Sequence, residues 1–413
     1  MLLAMKIFLV LGTLLLGQSV WALLDGHHFL RYLRRRRQSP LEAFAPLAAV
    51  IIPCKGLEAD IELHLSRYLA QDYPHYQVIF VVASEADPAY AFLCERLALR
   101  RAAGIHQLTD GPNAQVVVAG RSESRGEKVN NLLRGLSAVD PQASVLVFAD
   151  MDARAGTDWL RCLVAPLHDA RVTACTGFRW YLPGTGLVSH LRAAWDTSIA
   201  TLLGDHAHNF AWGGSMAIRA ADFHRLRVAE HYWASTVSDD YALTCAVRAA
   251  RGQICFEPRC LVASREDSSF GEFLQWANRQ IIITRVYMPH LWAMGLATYV
   301  FYCGTVLLGL GLLAWPGFSI WGRVLTAGIL LAIHCLGVAK GRIRSTVARE
   351  TFPEEAEALR RYGARYWQLA PLVPWVMLVN FLVAGATRRI EWRGVRYDLR
   401  SKDEVRVIGR EEL

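Results

Sequence analysis

Ser144-Val-Leu-Val-Phe-Ala-Asp-Met-Asp152 is the stretch on which the fold turns. Residues 145–149 are apolar without a break, as in a strand buried on both faces of a sheet. They end on two carboxylates two positions apart. Open α/β sheets gather their ligands beyond the carboxyl ends of the strands, and carboxylates so spaced can share a divalent cation. A metal-bound diphosphate suits that edge. An isolated Asp-x-Asp also suits a solvated turn or a helix cap, so the surrounding chain has to decide.

Working outward, short β-rich runs alternate with helical patterns. Ala48-Ala-Val-Ile-Ile-Pro53 is followed by a helix from about Ala59 to Gln71, and Gln77-Val-Ile-Phe-Val-Val-Ala-Ser84 by a helix after Pro88. Gln115-Val-Val-Val-Ala119 leads to a helix from about Glu127 to Ala138, and then comes the run ending at Asp150. This order predicts an α/β fold, a doubly wound, mostly parallel sheet covered on both faces. No internal repeat is visible.

The chain has 413 residues, 53% of them hydrophobic, above the roughly 45–50% of soluble domains. The excess lies in the first 24 residues and after His290. Ile7 to Leu24 is long enough to span a hydrocarbon core of about 30 Å. A cleaved signal peptide is the rival reading, but Arg31-Tyr-Leu-Arg-Arg-Arg-Arg37 behind the run favours a retained anchor with the following domain in the cytoplasm. Leu291–Trp315 and Ile320–Val338 are further spans, and Lys340-Gly-Arg-Ile-Arg344 marks a return to the cytoplasmic side. Leu369–Ala384 is short and carries Pro371 and Pro374, leaving a full crossing and a re-entrant or interfacial segment both open. The expected organisation is an anchor over 1–30, a catalytic domain over 45–269, an amphipathic interface helix over 270–290, membrane segments over 291–387 and a polar tail over 388–413. An integral protein of a bacterial inner membrane is expected.

The net charge of +8 fits attraction to anionic lipid and to an anionic nucleotide. The densest basic cluster abuts the first span, which argues against nucleic acid as a partner. Nine scattered cysteines, without a Cys-x-x-Cys or paired histidine spacing, read as reduced thiols and argue against a structural zinc site.

Several residues fit chemistry as well as plain structure. Asp87, before Pro88, suits a helix cap or a nucleotide contact. Lys128, in Gly126-Glu-Lys-Val-Asn-Asn131, can reach a diphosphate at a helix start or stand solvated, and Asn130 and Asn131 suit ligand contact or local capping. In Phe210-Ala-Trp-Gly-Gly-Ser-Met-Ala-Ile218, Gly213 and Gly214 mark a bulge or let the backbone approach a sugar under the flat face of Trp212. Asp239 and Asp240 open a helical pattern; one suits a cap, and a cleft-facing one suits a general base. Trp276 and Arg279 lie on an amphipathic stretch from Phe270 to Tyr287 that suits a membrane interface, where Arg279 can also clamp a departing diphosphate.

In their order, Ser84-Glu-Ala-Asp-Pro-Ala89, Lys128-Val-Asn-Asn-Leu132, Ala149-Asp-Met-Asp152, Gly213-Gly-Ser-Met216 and Asp239-Asp-Tyr241 resemble the family-2-type glycosyltransferases. Within these, the likeness is to the ceramide glucosyltransferase group and its bacterial lipid and hopanoid relatives. It extends into the carboxyl-terminal spans and Trp392-Arg-Gly394. The resemblance implies a GT-A fold, a UDP-sugar donor and a membrane lipid acceptor at the bilayer. It further implies that Asp87 and Lys128 hold the nucleotide, Asp150 and Asp152 the ribose and a Mg²⁺ or Mn²⁺, and that Asp240 is the base of an inverting transfer, with Asp239 beside it. Arg279 falls at the arginine of the family's Gln-x-x-Arg-Trp pattern, but Trp276 and Gln280 replace its first and last residues. That departure argues against a processive polysaccharide synthase, the first rival. The four acidic positions 87, 150, 152 and 240 argue against the second, a non-catalytic membrane scaffold.

Overall fold

A computed structural model describes residues 2–57, 60–102 and 112–411. In chain order, α1 (Leu2–Gln38) precedes β1 (Ala48–Pro53), α2 (Ile61–Leu69), β2 (Tyr76–Val82), α3 (Pro88–Ala102) and β3 (Asn113–Val118). Then come α4 (Glu127–Leu136), β4 (Val145–Ala149), α5 (Trp159–Val164), β5 (Val172–Tyr181), α6 (Leu187–Ala200) and β6 (Ser215–Arg219). Next are α7 (Ala220–Arg225), α8 (Asp239–Ala249), β7 (Gln253–Ser264), α9 (Phe270–Tyr287), α10 (Pro289–Ala314) and α11 (Ile320–Thr351). The chain finishes with α12 (Ala356–Tyr362), α13 (Arg365–Gln368), α14 (Val373–Ala386), β8 (Arg389–Trp392), β9 (Val395–Ser401) and β10 (Glu404–Arg410). The expected start of the second helix, Ala59, lies outside the described residues. The elements form two compact units, one of residues 33–179, 203–264 and 388–413, the other of 1–32, 180–202 and 265–387.

The first unit holds a seven-stranded sheet in the order β3-β2-β1-β4-β6-β5-β7. β1, β2, β3 and β4 run parallel, as the alternation of strands and helices requires. Successive residues of β1 go to opposite faces, and both faces are covered. Val50 and Ile52 pack with Leu65, Leu93 and Leu163 of α2, α3 and α5. Ile51 packs on the other side with Leu132 of α4 and Leu243 of α8. The doubly wound, mostly parallel sheet is therefore present.

A strand that departs from the parallel set builds the site. β6 is antiparallel to β4, with Ala149 opposite Ser215. The residue that follows β4, Asp150, thus meets the residue that precedes β6, Gly214, whose carbonyl accepts from the Asp150 N–H at 3.4 Å. β5 is antiparallel to β6 in turn, so it shares the direction of β4 and delivers its own carboxyl end to the same edge. Residues 388–413, expected to be a polar tail, contain the antiparallel meander β8-β9-β10 in its described part. Ile390, Val395, Tyr397, Leu399 and Val405 are its buried side chains.

In the second unit, α9 starts with a capping box made by Ser269 and Glu272. The fully buried Asn380 of α14 accepts from Trp195 Nε1 of α6 at 3.0 Å and donates to Asn278 of α9 at 2.8 Å. Among the described residues, four helical runs are long and apolar enough to cross a membrane: Leu2–Gln38, Pro289–Ala314, Ile320–Thr351 and Arg365–Ala386. The last extends the short segment read from sequence, because α13 and a 3₁₀ turn at Ala370–Leu372 lead into α14.

Candidate active site

Lys128 stands in the first turn of α4, which follows the loop from β3 and has Gly126 at its cap position. Its ammonium lies 2.8 Å from Asp150 Oδ1 and 3.1 Å from Asp239 Oδ2. Burial works against the charge, but the Asp150 and Asp239 carboxylates outweigh it and raise the ammonium's pKa well above the usual lysine value. Asp239 is buried and sits on the other side of that balance. Burial, with Asp240 and Asp150 adding to it against Lys128, pushes its carboxyl up to about 7. One cation thus holds two carboxylates contributed by β4 and α8, far apart in sequence.

Asp150 and Asp152 share a second cation. Arg179, at the carboxyl end of β5, contacts Asp152 with both terminal nitrogens, at 2.5 and 3.2 Å, and Asp150 Oδ2 at 3.3 Å. Burial disfavours the Asp152 charge, yet Arg179 and Arg393 overcome it and hold the carboxyl down at about 2. The turn carrying the pair is fixed from behind by buried Tyr68, whose hydroxyl donates to the carbonyl of Asp150 at 2.7 Å and stacks edge-on against Trp159.

Trp212, Gly213 and Gly214 close the same pocket. The Arg179 guanidinium lies over the Trp212 ring at 5.3 Å from its centre. A Cβ on Gly213 would come within 2.9 Å of the Asp239 carboxylate carbon and 2.7 Å of Lys128 Nζ, and one on Gly214 would reach Asp150 Oδ2 at 2.7 Å. The two glycines are therefore required by the close approach of the backbone to the charged cluster. The Gly213 N–H points to Asp240 Oδ2 at 3.4 Å.

Asp240 is half-buried and oriented by the N–H of Tyr241 at 2.7 Å and by the hydroxyl of Ser238. Ser238, rather than either aspartate, is the cap residue of α8. Asp87 takes up the capping job: its Oδ1 accepts from Ala89 N–H in the first turn of α3 at 2.9 Å and also from Gly56 N–H beyond β1 at 2.8 Å. Asn130 and Asn131 tie α4 to the ends of the neighbouring strands, Asn130 through the carbonyl of Gly120 and Asn131 through that of Val81.

Trp276 and Arg279 lie on α9 in the other unit. There Trp276 packs edge-on against Tyr181 and Trp195, and the buried Arg192 guanidinium is held between the Trp276 and Tyr181 rings at 4.4 and 4.3 Å. Arg279 is half-buried.

Two site residues escaped the sequence reading. Arg179 left a trace as a charged residue inside the otherwise uncharged run 172–181. Arg393 reaches Asp152 Oδ2 at 3.4 Å from the β8–β9 turn. Among the described residues no cluster of three or more His, Cys, Asp or Glu forms a ready metal cage. The donor set nevertheless fits Mg²⁺ or Mn²⁺ bound together with a phosphate ligand. Asp150 and Asp152 offer hard oxygens that already converge on one positive charge, that of Arg179.

Residues 14–405 match glycosyl transferase family 21. No curated protein matches the chain. Among solved structures, the chain is similar to a mannosyltransferase from Pyrobaculum calidifontis in complex with GDP-Man and Mn²⁺, at 17% identity and a TM-score of 0.46, covering 92% of this chain and 98% of that one. It is also similar to glucosyl-3-phosphoglycerate synthase from Mycobacterium tuberculosis in complex with Mn²⁺, UDP-glucose and phosphoglyceric acid, at 16% identity and a TM-score of 0.36, covering 61% and 81%.

Proposed function

The chain belongs to glycosyl transferase family 21, and from that premise we propose that it moves a single sugar from a UDP-sugar to the hydroxyl of a membrane lipid, with inversion at the anomeric carbon. The observation that carries this reading is the gathering of Lys128, Asp150, Asp152, Asp239 and Asp240 at one edge of one sheet, two cations shared among the carboxylates.

Lys128 faces the diphosphate, and Asp239, ion-paired to it, sets its position. Asp87 is the nucleotide contact beyond β2. Asp150 and Asp152 would hold the ribose and a Mg²⁺ or Mn²⁺, which when bound offsets negative charge on the departing UDP. Asp240, the more open of the adjacent aspartates, takes the proton of the acceptor hydroxyl as that oxygen bonds to the anomeric carbon. The bond from that carbon to the diphosphate breaks, and UDP leaves with the electron pair. Trp212, Gly213 and Gly214 line the sugar side.

The membrane arrangement follows from connectivity. The meander after Thr387 contacts the same unit as the sheet, through Arg393 at Lys55 and Asp152, which supports a reading with residues 264 and 388 on one side of the bilayer. The chain between them must cross an even number of times. α10 and α11 supply two crossings, and Arg365–Ala386, with its prolines and 3₁₀ turn, is then re-entrant or interfacial. The basic runs at 31–37 and 340–344 support a cytoplasmic catalytic side.

The Asp240→Asn variant tests the core of the reading. It should lose sugar transfer by at least about a thousandfold while binding UDP as the wild type does, the signature of a lost base. Transfer at a near wild-type rate would remove Asp240 from the chemistry.

A further inference from the structure

Two arginines among the described residues are buried to 5% exposure, and their surroundings differ. Arg192 pairs with Glu266 at 2.6 Å and lies between the rings of Tyr181 and Trp276. Arg344, on α11, has no carboxylate at ion-pair distance among the described residues. Its Nε is sealed without a hydrogen-bond partner, and it is the only one of the three guanidinium nitrogens so enclosed. A buried charge left alone is strongly destabilising, so this side chain asks for an anion from outside the protein.

The turn around Arg344 shows which side that anion comes from. Gly341 and Ser345 face α13 and the end of α12: a Cβ on Gly341 would come within 2.4 Å of Trp367 Cα, and Ser345 Oγ donates to the Gly363 carbonyl at 2.7 Å. Ile343 meets Gly26 of α1. Lys340 and Arg344 share another face, one helical turn apart. The ionisable group that acts on Arg344 there is Tyr299 of α10, neutral at physiological pH. Asp25 of α1 acts on Lys340, but from beyond ion-pair distance. The depth suits a headgroup. Trp321 is exposed at the start of α11, as an aromatic at a membrane interface is. Arg344 follows Ile320 by 24 positions, about 36 Å of helix axis at about 1.5 Å per residue, which clears a hydrocarbon core of about 30 Å.

We propose that Lys340 and Arg344 form a binding site for the phosphate of an anionic phospholipid, between α10 and α11 in the headgroup layer at the far end of α11 from Ile320. Basic pockets between membrane helices take such headgroups. The guanidinium offers two parallel N–H groups to phosphate oxygens, and the ammonium adds a point charge. The site needs α11 to cross the bilayer and is independent of the donor and of the reaction.

The test uses the full-length protein in a neutral maltoside detergent, with phosphatidylglycerol, phosphatidylcholine or inorganic phosphate added. Melting temperature and native mass spectrometry of the retained lipid are the readouts. Phosphatidylglycerol should raise the wild-type melting temperature and stay bound; phosphatidylcholine, which carries its own cation, should do less, and inorganic phosphate nothing. Arg344→Met should lose the response, with affinity for phosphatidylglycerol lower by roughly tenfold or more. In detergent alone that variant should melt no lower than the wild type, because it removes a buried charge that nothing there offsets. Arg349→Gln, which alters an exposed arginine of the same helix, should respond as the wild type does. An equal response in Arg344→Met, or a wild type indifferent to phosphatidylglycerol, would overturn the proposal. So would an Arg344→Met protein that melts lower in detergent alone, the mark of a partner inside the protein. An equal effect of phosphatidylcholine or of inorganic phosphate would refute the assignment to an anionic lipid.

Discussion

Asp239 offers a quantitative test of the charge balance in the site. Its carboxyl is pushed up to about 7 from an ordinary 3.8, chiefly by burial, so the folded protein favours the neutral form far more than the unfolded chain does. The sign follows. The stability associated with this proton is fully present below about pH 4, and it is lost as the pH rises through about 7. At 1.36 kcal/mol per pH unit, the interval corresponds to about 4 kcal/mol. Asp239→Asn replaces the group by an uncharged one of the same shape. The variant and the wild type should therefore melt together near pH 4. The variant should gain steadily above that pH and be the more stable by up to about 4 kcal/mol at pH 8, several degrees in melting temperature. Thermal unfolding of both proteins in detergent, at intervals from pH 4 to 9, measures this. A difference that stays flat with pH, or that favours the wild type at pH 8, would refute the assignment of Asp239 as a buried carboxyl held against its own ionisation.

Other outcomes follow from the same geometry. Gly213→Ala would drive a methyl group into Lys128 and Asp239, so UDP affinity should fall at least about tenfold with the circular dichroism spectrum unchanged; retained affinity would show that the loop yields. Tyr68→Phe removes the hydroxyl behind the Asp150 turn and should cost about 1 kcal/mol of stability, seen as a lower melting temperature. Replacement of Asp240 by Asn, already described, separates proton transfer from donor binding.

Much of this was legible locally. The apolar runs of β1, β2 and β4 carry buried faces on both sides, a pattern independent of tertiary partners, and the observed limits of these strands and of the half-buried edge strand β3 differ from the expected ones by a few residues. Asp150, Asp152, Lys128 and Asp239 were legible because each follows a strand or opens a helix, and a parallel sheet sends those positions to one edge. What could not be read was pairing across the chain. Arg179 joins the site only because β5 and β6 add antiparallel strands in a particular order, and nothing local encodes that order. The meander carried a usable signal, the alternation of Ile390, Trp392, Val395, Tyr397 and Leu399 about an Arg-Gly turn. Its docking against the loop before α4 depends on Tyr397 and Arg410 meeting Glu127, some 270 residues away in sequence. Asn130 and Asn131 show the converse: polar residues read as suiting a ligand or a cap also fasten a helix to strand ends.

The measurement that bears most directly on the central claim is product analysis. Purified protein is incubated with Mn²⁺, membrane lipid extract and a panel of UDP-sugars, and the lipids are then extracted and weighed by mass spectrometry. The account predicts one lipid class heavier by a single sugar residue, with one UDP released per transfer and no product from Asp240→Asn. A ladder of longer products, or no donor consumed across the panel, would contradict it.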